Sequence, residues 1–269
     1  MLFLNEDILE KAGVNADELT TWPQVQAAAK KIKEKTGKYG LYISESNDNW
    51  SNQQLVESTG TQTIADGKAA FATEGGIAAY KMWGDMVADG SALHISTDEG
   101  YQAFVSGDVG MLHATIAQRT NITQNGKFKS TAIKVPGWEG EALKVPAGGA
   151  LLAVTAQEEK QQKAAWQFLK FLYEADSVAT WTESTGYLPM TIHAVEENAD
   201  LKKLVEEDKM FRASYSQMEN LVPFASFPGT NGLQASQMLL DMRDQILGGK
   251  VSAEKAVTDA QKKINELLK

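Results

Sequence analysis

Cysteine is absent from all 269 positions of the sequence. Its absence excludes a disulfide framework, a catalytic thiolate, an iron–sulfur cluster and any zinc site with cysteine ligands. Histidine is also scarce, because only His94, His113 and His193 occur, and their separations do not match metal-ligand spacing. The sequence therefore predicts neither a metal site nor a bound cofactor.

Long apolar segments and clusters of positive charge are missing too. No apolar run approaches the roughly 18 residues that a membrane-spanning helix needs. The opening MLFLNEDILEK is not a signal peptide, so if the protein is exported we expect its signal outside this sequence. With 26 Lys and Arg against 35 Asp and Glu, the net charge is −9, which disfavours nucleic acid and anionic membrane surfaces as partners.

Signatures of common enzyme classes are absent as well. The sequence has no G-x-S-x-G, Walker A or H-E-x-x-H motif, and no G-x-G-x-x-G follows a predicted strand. Its acidic pairs, such as Glu158-Glu159 and Glu206-Glu207, are typical of solvated helix faces. Paired catalytic carboxylates are recognised from a structure, so a carbohydrate hydrolase or lyase stays open as an alternative.

What the sequence does contain is an alternation of helical and strand patterns, with 43% hydrophobic residues to form a core. The segment Thr21-Trp22-Pro23-Gln24 is typical of a helix capping box, and Asp66-Gly67 predicts a hairpin turn. We predict helices near 5–12, 22–35, 74–88, 97–105, 116–124, 157–173, 176–183 and 234–247, with further helices opening at Trp50 and Ser252. We predict strands near 39–44, 109–113, 131–135 and 151–154.

Several aromatic residues fall on predicted loops beside polar residues. Tyr187 lies in TESTGYLPM, where Gly186 permits unusual backbone angles and Pro189 ends the preceding helix. The others are Trp50, Trp138, Phe224 and Phe227. Each ring taken alone is equally consistent with packing on the core. Together they favour a carbohydrate site, because a sugar ring offers an apolar face for stacking and hydroxyls for hydrogen bonds.

Five segments carry a resemblance to a known family. In chain order they are LFLNEDILEKAGV, LTTWPQVQAAAKKI, GYQAFVSGDVGML, AGGALLAV with KAAWQFLKFL, and TGYLPM. In content and order they resemble the family 1 extracellular solute-binding proteins of bacterial ABC importers, which include maltose-binding and glycerophosphoryl-binding proteins. The resemblance extends over nearly the whole chain.

The resemblance implies an α/β fold of the type II periplasmic-binding-protein kind, with two lobes around a hinge and a ligand cleft between them. Residues 1–146 and 208–269 would form the C-terminal lobe, and residues 147–207 the remaining part of an incomplete N-terminal lobe. Because the first strands of that lobe are missing, the strand near 151–154 would have an unpaired edge. We expect that another chain completes the lobe, or that the chain is a fragment without binding activity.

Ligand-binding residues follow from the same resemblance, position by position. They are Trp50, His113, Thr115, Gly148, Gly149, Gly186, Tyr187, Phe227 and Asn231. Glycerophosphoryl binders carry an arginine in the loop before the penultimate helix, and the corresponding loop here, VPFASFPGTNGL, has none. Since a buried phosphate needs a cation, this favours a neutral saccharide.

The implied function is that of a binding protein rather than an enzyme. It would capture a mono- or oligosaccharide and deliver it to the membrane permease subunits of an ABC importer. We expect an extracytoplasmic location, periplasmic or as a membrane-anchored lipoprotein in the full-length form. The alternatives are a carbohydrate-active enzyme and a glycerophosphodiester-binding relative.

Overall fold

A four-stranded mixed sheet organises the larger part of the chain. The computed structural model describes residues 1–46, 49–149 and 151–269. The sheet has the order β2–β5–β1–β6, in which β1 is antiparallel to both neighbours and β2 is parallel to β5. The strands are β1 (Leu2–Asn5), β2 (Tyr39–Ile43), β3 (Ile64–Ala65), β4 (Lys68–Ala69), β5 (Val109–His113), β6 (Ser130–Ile133), β7 (Val145–Pro146) and β8 (Leu221–Val222).

Strand β1 is absent from the sequence-based prediction, although it lies in the interior of the sheet. Its side chains alternate between two hydrophobic clusters, since Leu2 and Leu4 belong to one and Phe3 to the other. All four of its residues are buried. A strand covered on both faces reads as a short apolar run without a polar alternation, and such a run is ambiguous in sequence.

The helices follow the predicted ones closely. They are α1 (Glu6–Ala12), α2 (Trp22–Thr36), α3 (Trp50–Glu57), α4 (Glu74–Ala88), α5 (Thr97–Val105), α6 (Gln118–Asn125), α7 (Glu159–Leu172), α8 (Ala175–Thr185), α9 (Ile192–Glu197), α10 (Ala199–Glu207), α11 (Lys209–Tyr215), α12 (Gly232–Leu247) and α13 (Ala253–Leu267). The capping box of α2 forms as predicted, because Gln24 Oε1 accepts from the Thr21 amide at 2.9 Å. The β3–β4 hairpin also forms, with Asp66 and Gly67 both at positive φ.

Two hydrophobic clusters lie on opposite faces of the sheet. The larger one packs α1, α2, α4, α12 and α13 together and contains the buried indoles of Trp22 and Trp83. The smaller one surrounds Tyr42, Phe104 and Leu112 and extends to Met210 of α11. Through that contact, residues after α10 return to the sheet that the first half of the chain forms.

Apart from Leu188, which packs against the smaller cluster, the apolar residues of 151–207 lie outside both main clusters. They share one small cluster, made by Val178, Ala179, Ala194 and Leu201. None of the residues of α7 is buried. Among the described residues, most of the exposed large apolar side chains fall here: Leu151, Leu152, Val154, Trp166, Phe168, Phe171, Tyr173, Trp181, Tyr187, Met190 and Ile192.

The predicted strand at 151–154 is wrong for this chain. These residues have no regular secondary structure, and the side chain of Leu151 is 97% exposed. An isolated apolar segment cannot form a strand, because a strand needs a neighbour to satisfy its backbone hydrogen bonds. No described strand pairs with this segment.

A short parallel pair of strands marks the place where the chain leaves the main sheet. Strand β7 pairs with β8, and beyond it the amide of Ala147 donates to Val222 O at 2.8 Å. Within the described ranges, no helix combines the length and apolarity needed to cross a membrane.

Candidate functional site

The indole of Trp50 and the imidazole of His113 form the centre of the candidate site. His113 is the last residue of β5 and is fully buried. Its ring stacks on Trp50 with centroids 5.1 Å apart and meets Trp22 edge-on at 5.4 Å. Burial, reinforced by the nearby N-terminal amino group, holds the pKa of His113 well below its usual range. His113 is therefore neutral. Its ring packs against one face of the half-buried Trp50 indole.

Helix α3, which carries Trp50, is buried although its sequence is polar. Residues 51–54 are all nearly inaccessible. Hydrogen bonds help to compensate the burial of these polar side chains. Gln54 Nε2 donates to Pro136 O at 3.3 Å. One turn later, Ser58 Oγ donates to Lys144 O at 3.2 Å. These bonds tie α3 to the segment that leads into β7.

The segment after β7 lies against the edge of the Trp50 indole. Trp50 Nε1 donates to Pro146 O at 2.9 Å. A Cβ added at Gly148 would lie 3.8 Å from the same nitrogen, so Gly148 is in van der Waals reach of the indole edge. Gly149 follows at φ 132°, a conformation that favours glycine. Both glycines are exposed, which leaves their peptide groups open beside the ring.

The TGYLP corner forms at the end of α8. Gly186 has φ 77° and its amide donates to Thr182 O, which closes the helix. A Cβ at Gly186 would meet Thr120 Oγ1 at 3.3 Å, so the corner packs tightly against the start of α6. Leu188 inserts into the smaller cluster of the sheet, while Tyr187 stays 38% exposed. The predicted helix end and the unusual backbone angles of Gly186 are confirmed.

Thr115 lies on the segment that connects the Trp50–His113 stack with the Gly186–Tyr187 corner. It follows His113 by two positions and is half-buried. Its Oγ1 accepts a hydrogen bond from the Ala117 amide at 3.3 Å. This segment leads from the Trp50 stack to the residues that contact Gly186.

Phe227 and Asn231 do not join the residues around Trp50. Phe227 is only 7% exposed and packs in the larger core cluster. Asn231 Nδ2 donates to Leu267 O at 2.9 Å and so ties the start of α12 to the end of α13. The loop between them touches the β3–β4 hairpin, since a Cβ at Gly67 would lie 3.5 Å from Pro228.

The arginine at the start of α6 is paired with a carboxylate. Arg119 of α6 forms an ion pair with Asp208, with its Nε 3.0 Å from the carboxylate. Burial acts to raise the pKa of Asp208, but hydrogen bonds from Arg119 and from the Phe211 amide lower it below its usual value. The pair joins α6 to the residue between α10 and α11.

A second polar cluster holds the loop before α3. His94 Nδ1 lies 2.8 Å from Glu45 Oε2, and Arg243 Nη1 donates to Ser46 O at 3.2 Å. Burial raises the pKa of Glu45, and the contact with His94 opposes that rise. Within the described residues, no group of three or more His, Asp and Glu side chains is arranged to hold a metal ion.

Comparison with known proteins identifies the family. The profile of the bacterial extracellular solute-binding protein family matches residues 1–211. The chain belongs to this family. Such proteins bind solutes for transport, and the expected family resemblance is thereby confirmed.

Relatives of this solute-binding protein are longer than the chain itself. It is 26% identical to the sn-glycerol-3-phosphate-binding periplasmic protein UgpB of Brucella melitensis, and the alignment covers 100% of this chain but 65% of the relative. UgpB of Rhizobium meliloti is 25% identical over the same shares of the two chains. The solute-binding chain thus spans about two thirds of the length of these relatives.

Solved structures confirm the two-lobe periplasmic-binding-protein fold class for this solute-binding protein. The cyclic α-maltosyl-1,6-maltose binding protein of Arthrobacter globiformis matches with a TM-score of 0.84 at 22% identity, covering 99% of this chain and 69% of that one. UgpB of Mycobacterium tuberculosis, solved with glycerophosphocholine, matches with a TM-score of 0.86 at 19% identity, covering 99% and 68%. At these identities the likeness concerns the fold.

Proposed function

We propose that this protein is the solute-binding component of an ABC importer and takes up a neutral mono- or oligosaccharide for delivery to permease subunits. The observation that carries the proposal is the half-buried Trp50 indole. His113 supports one side of the ring, Pro146 O holds its nitrogen, and the exposed backbone of Gly148 lies at its edge. A fixed aromatic face beside open peptide groups suits a sugar ring.

The proposed site extends along the segment after β5. Thr115 would offer its hydroxyl, Gly148 and Gly149 their peptide groups, and the Gly186–Tyr187 corner a second wall with an exposed ring. His113 acts as the buried support of Trp50. Together these residues combine an apolar platform with hydrogen-bonding groups, as carbohydrate recognition requires.

Charge supports a neutral ligand over a phosphate ester. Arg119 lies closest along the chain to Thr115 and is engaged by Asp208. His113 carries no charge because its pKa is depressed. The loop at 222–233 has no arginine, so it offers a phosphate no guanidinium group to pair it. This favours the saccharide over the glycerophosphodiester alternative, although UgpB relatives are named for glycerol 3-phosphate.

We also propose that further polypeptide completes the lobe to which residues 147–207 belong. None of the residues of α7 is buried, and Trp166, Phe168 and Phe171 are each more than half exposed. The segment with Leu151 and Leu152 has the composition of a strand and lacks a pairing partner. Exposed large apolar side chains in such number are normally covered in an interface. The greater length of the relatives supports a covering polypeptide of the same family.

In this arrangement, residues 1–146 and 208–269 make one lobe, and residues 147–207 contribute to the other. We propose that the complete protein works outside the cytoplasm, in keeping with relatives named as periplasmic. A membrane-anchored lipoprotein form is part of the same proposal.

The test is a fluorescence titration with glucose, maltose, maltotriose, trehalose and glycerophosphocholine. We expect a saturable change with a neutral sugar, lost in Trp50→Ala. Trp50→Phe is the matched control, because it keeps an aromatic face and should retain part of the affinity when measured by calorimetry. Binding that is unchanged in Trp50→Ala would place the ligand elsewhere and overturn the site.

A further inference from the structure

We infer that Phe224 is a second aromatic contact of the saccharide site and that Gln53 positions it there. The inference rests on the proposed function and deepens it by naming a contact and its support. In the sequence Phe224 is one of several loop aromatics and is not distinguished from Phe227, and nothing singles out Gln53.

The carboxamide of Gln53 forms hydrogen bonds with the backbone on both sides of Phe224. Its Nε2 donates to Pro223 O at 2.9 Å, and its Oε1 accepts from the Ala225 amide at 2.9 Å. The side chain of Gln53 is buried, and Nε2 has a further contact with Glu57 Oε2 at 3.1 Å. Both ends of a buried amide are therefore used on the two peptide groups that flank a single residue.

These two hydrogen bonds tie the loop of Phe224 to α3, the helix that carries Trp50. Trp50 and Gln53 are three positions apart on α3, so their side chains project from neighbouring points on one helix face. Trp50 holds Pro146 O of strand β7, and Gln53 holds Pro223 O directly after β8. These two strands pair with each other. The residues that follow them, Gly148 on one side and Phe224 on the other, leave the same short sheet in the same direction.

The two phenylalanines of the loop differ in what they do. Phe227 fills the core, whereas Phe224 is 39% exposed although its backbone is fixed. Fixing a backbone costs conformational entropy. A ring that stays partly in water gains little hydrophobic free energy to offset that cost. A large exposed aromatic on a fixed backbone is typical of a contact surface.

The experiment is isothermal titration calorimetry with maltotriose, and with glucose, maltose and trehalose as further probes. Phe224→Ala should weaken the binding of the responding sugar about tenfold, the size expected for the loss of one aromatic contact. Phe224→Trp should restore most of the affinity. Phe128→Ala is the control, because Phe128 is a partly accessible phenylalanine that lies beside Asn5 and Gly107 at the opposite end of the sheet.

Gln53→Met tests the positioning role, because methionine keeps the length of the side chain and loses the bonds to Pro223 O and the Ala225 amide, together with the one to Glu57. We expect an affinity loss similar to that of Phe224→Ala. The double variant should lose little more than either single one, since both changes remove the same contact. A purely structural role for Gln53 would instead give additive losses in affinity in the double variant.

The outcomes separate the two proposals. Sugar binding by the unaltered chain that is unaffected by Phe224→Ala overturns the role of Phe224 and leaves the proposed function standing. Additive losses in the double variant overturn the role of Gln53. If none of the sugars binds to the unaltered chain, the proposed function is overturned and this inference is overturned with it.

Discussion

Replacing His113 by phenylalanine should remove a pH-dependent weakness from the fold. The imidazole is fully buried between two indoles, and neither ring nitrogen has a hydrogen-bond partner among the described residues. Phenylalanine keeps an aromatic ring against Trp50 and removes two unsatisfied polar atoms, each of which costs about 1–3 kcal/mol when buried. At pH 7 the variant should therefore be at least as stable as the unaltered protein.

The pH dependence follows from the depressed pKa of His113. In the unfolded chain this residue titrates near pH ~6.5, whereas in the folded protein it stays neutral. The unfolded state then binds more protons below that pH, so the free energy of unfolding falls as the pH falls. Between pH 7 and pH 5 the contribution of one such histidine amounts to about 2 kcal/mol.

The assay is urea unfolding followed by circular dichroism at pH 7, 6 and 5. The unaltered protein should lose about 2 kcal/mol more between pH 7 and pH 5 than His113→Phe. The variant His113→Asn, which is polar but does not titrate, should show the same flatter profile. His94 and His193 are common to all three proteins and cancel in the comparison. Parallel pH profiles would refute the assignment of His113 as a buried neutral residue.

Three further substitutions test separate parts of the structure. Gly186→Ala should cost about 1–2 kcal/mol, because alanine at φ 77° is strained, and an unchanged melting temperature would argue against the tight corner. Phe211→Ala should lower the free energy of unfolding in urea by about 3–5 kcal/mol, because Phe211 is fully buried. Phe168→Ala should lower it by less than about 1 kcal/mol. Equal losses for the two variants would contradict the exposure of α7. Asp208→Asn should cost about 1–2 kcal/mol at pH 7. That difference should vanish as the pH falls through the lowered pKa of Asp208, and a difference that persists at pH 2 would argue against the ion pair with Arg119.

Local signals explain why the helices could be predicted from the sequence. Gly13 and Gly37 end α1 and α2 in the left-handed conformation, and Gln24 completes the capping box of α2. These signals act within a few residues, so the sequence contains them in readable form. The same holds for Gly186 at the TGYLP corner.

The strands depended on contacts that the sequence does not display. Strand β1 forms because β5 and β6, more than one hundred residues away, supply its neighbours. The segment 151–154 has an apolar run and still forms no strand, because no described strand lies beside it. Apolar composition shows that a segment can be buried, whereas pairing decides whether it becomes a strand.

The sequence could identify the central aromatic residue of the candidate site, but not the residues that hold it in place. Trp50 could be identified as a ring after a polar loop, but its stack on His113 depends on how α3 packs against β5. Gln53 reaches Pro223 and Ala225 across 170 and 172 positions of sequence. Such long-range hydrogen bonds leave no local pattern, which is also why the sequence could not separate Phe224 from Phe227.

The class of ligand is the central claim, and calorimetric titration tests it most directly. The purified chain would be titrated with maltotriose, maltose, trehalose and glucose, and separately with glycerophosphocholine. The proposed function predicts saturable heat at one site per chain with at least one neutral sugar and none with the phosphodiester. Binding of glycerophosphocholine alone, or no heat with any of the sugars, would contradict it.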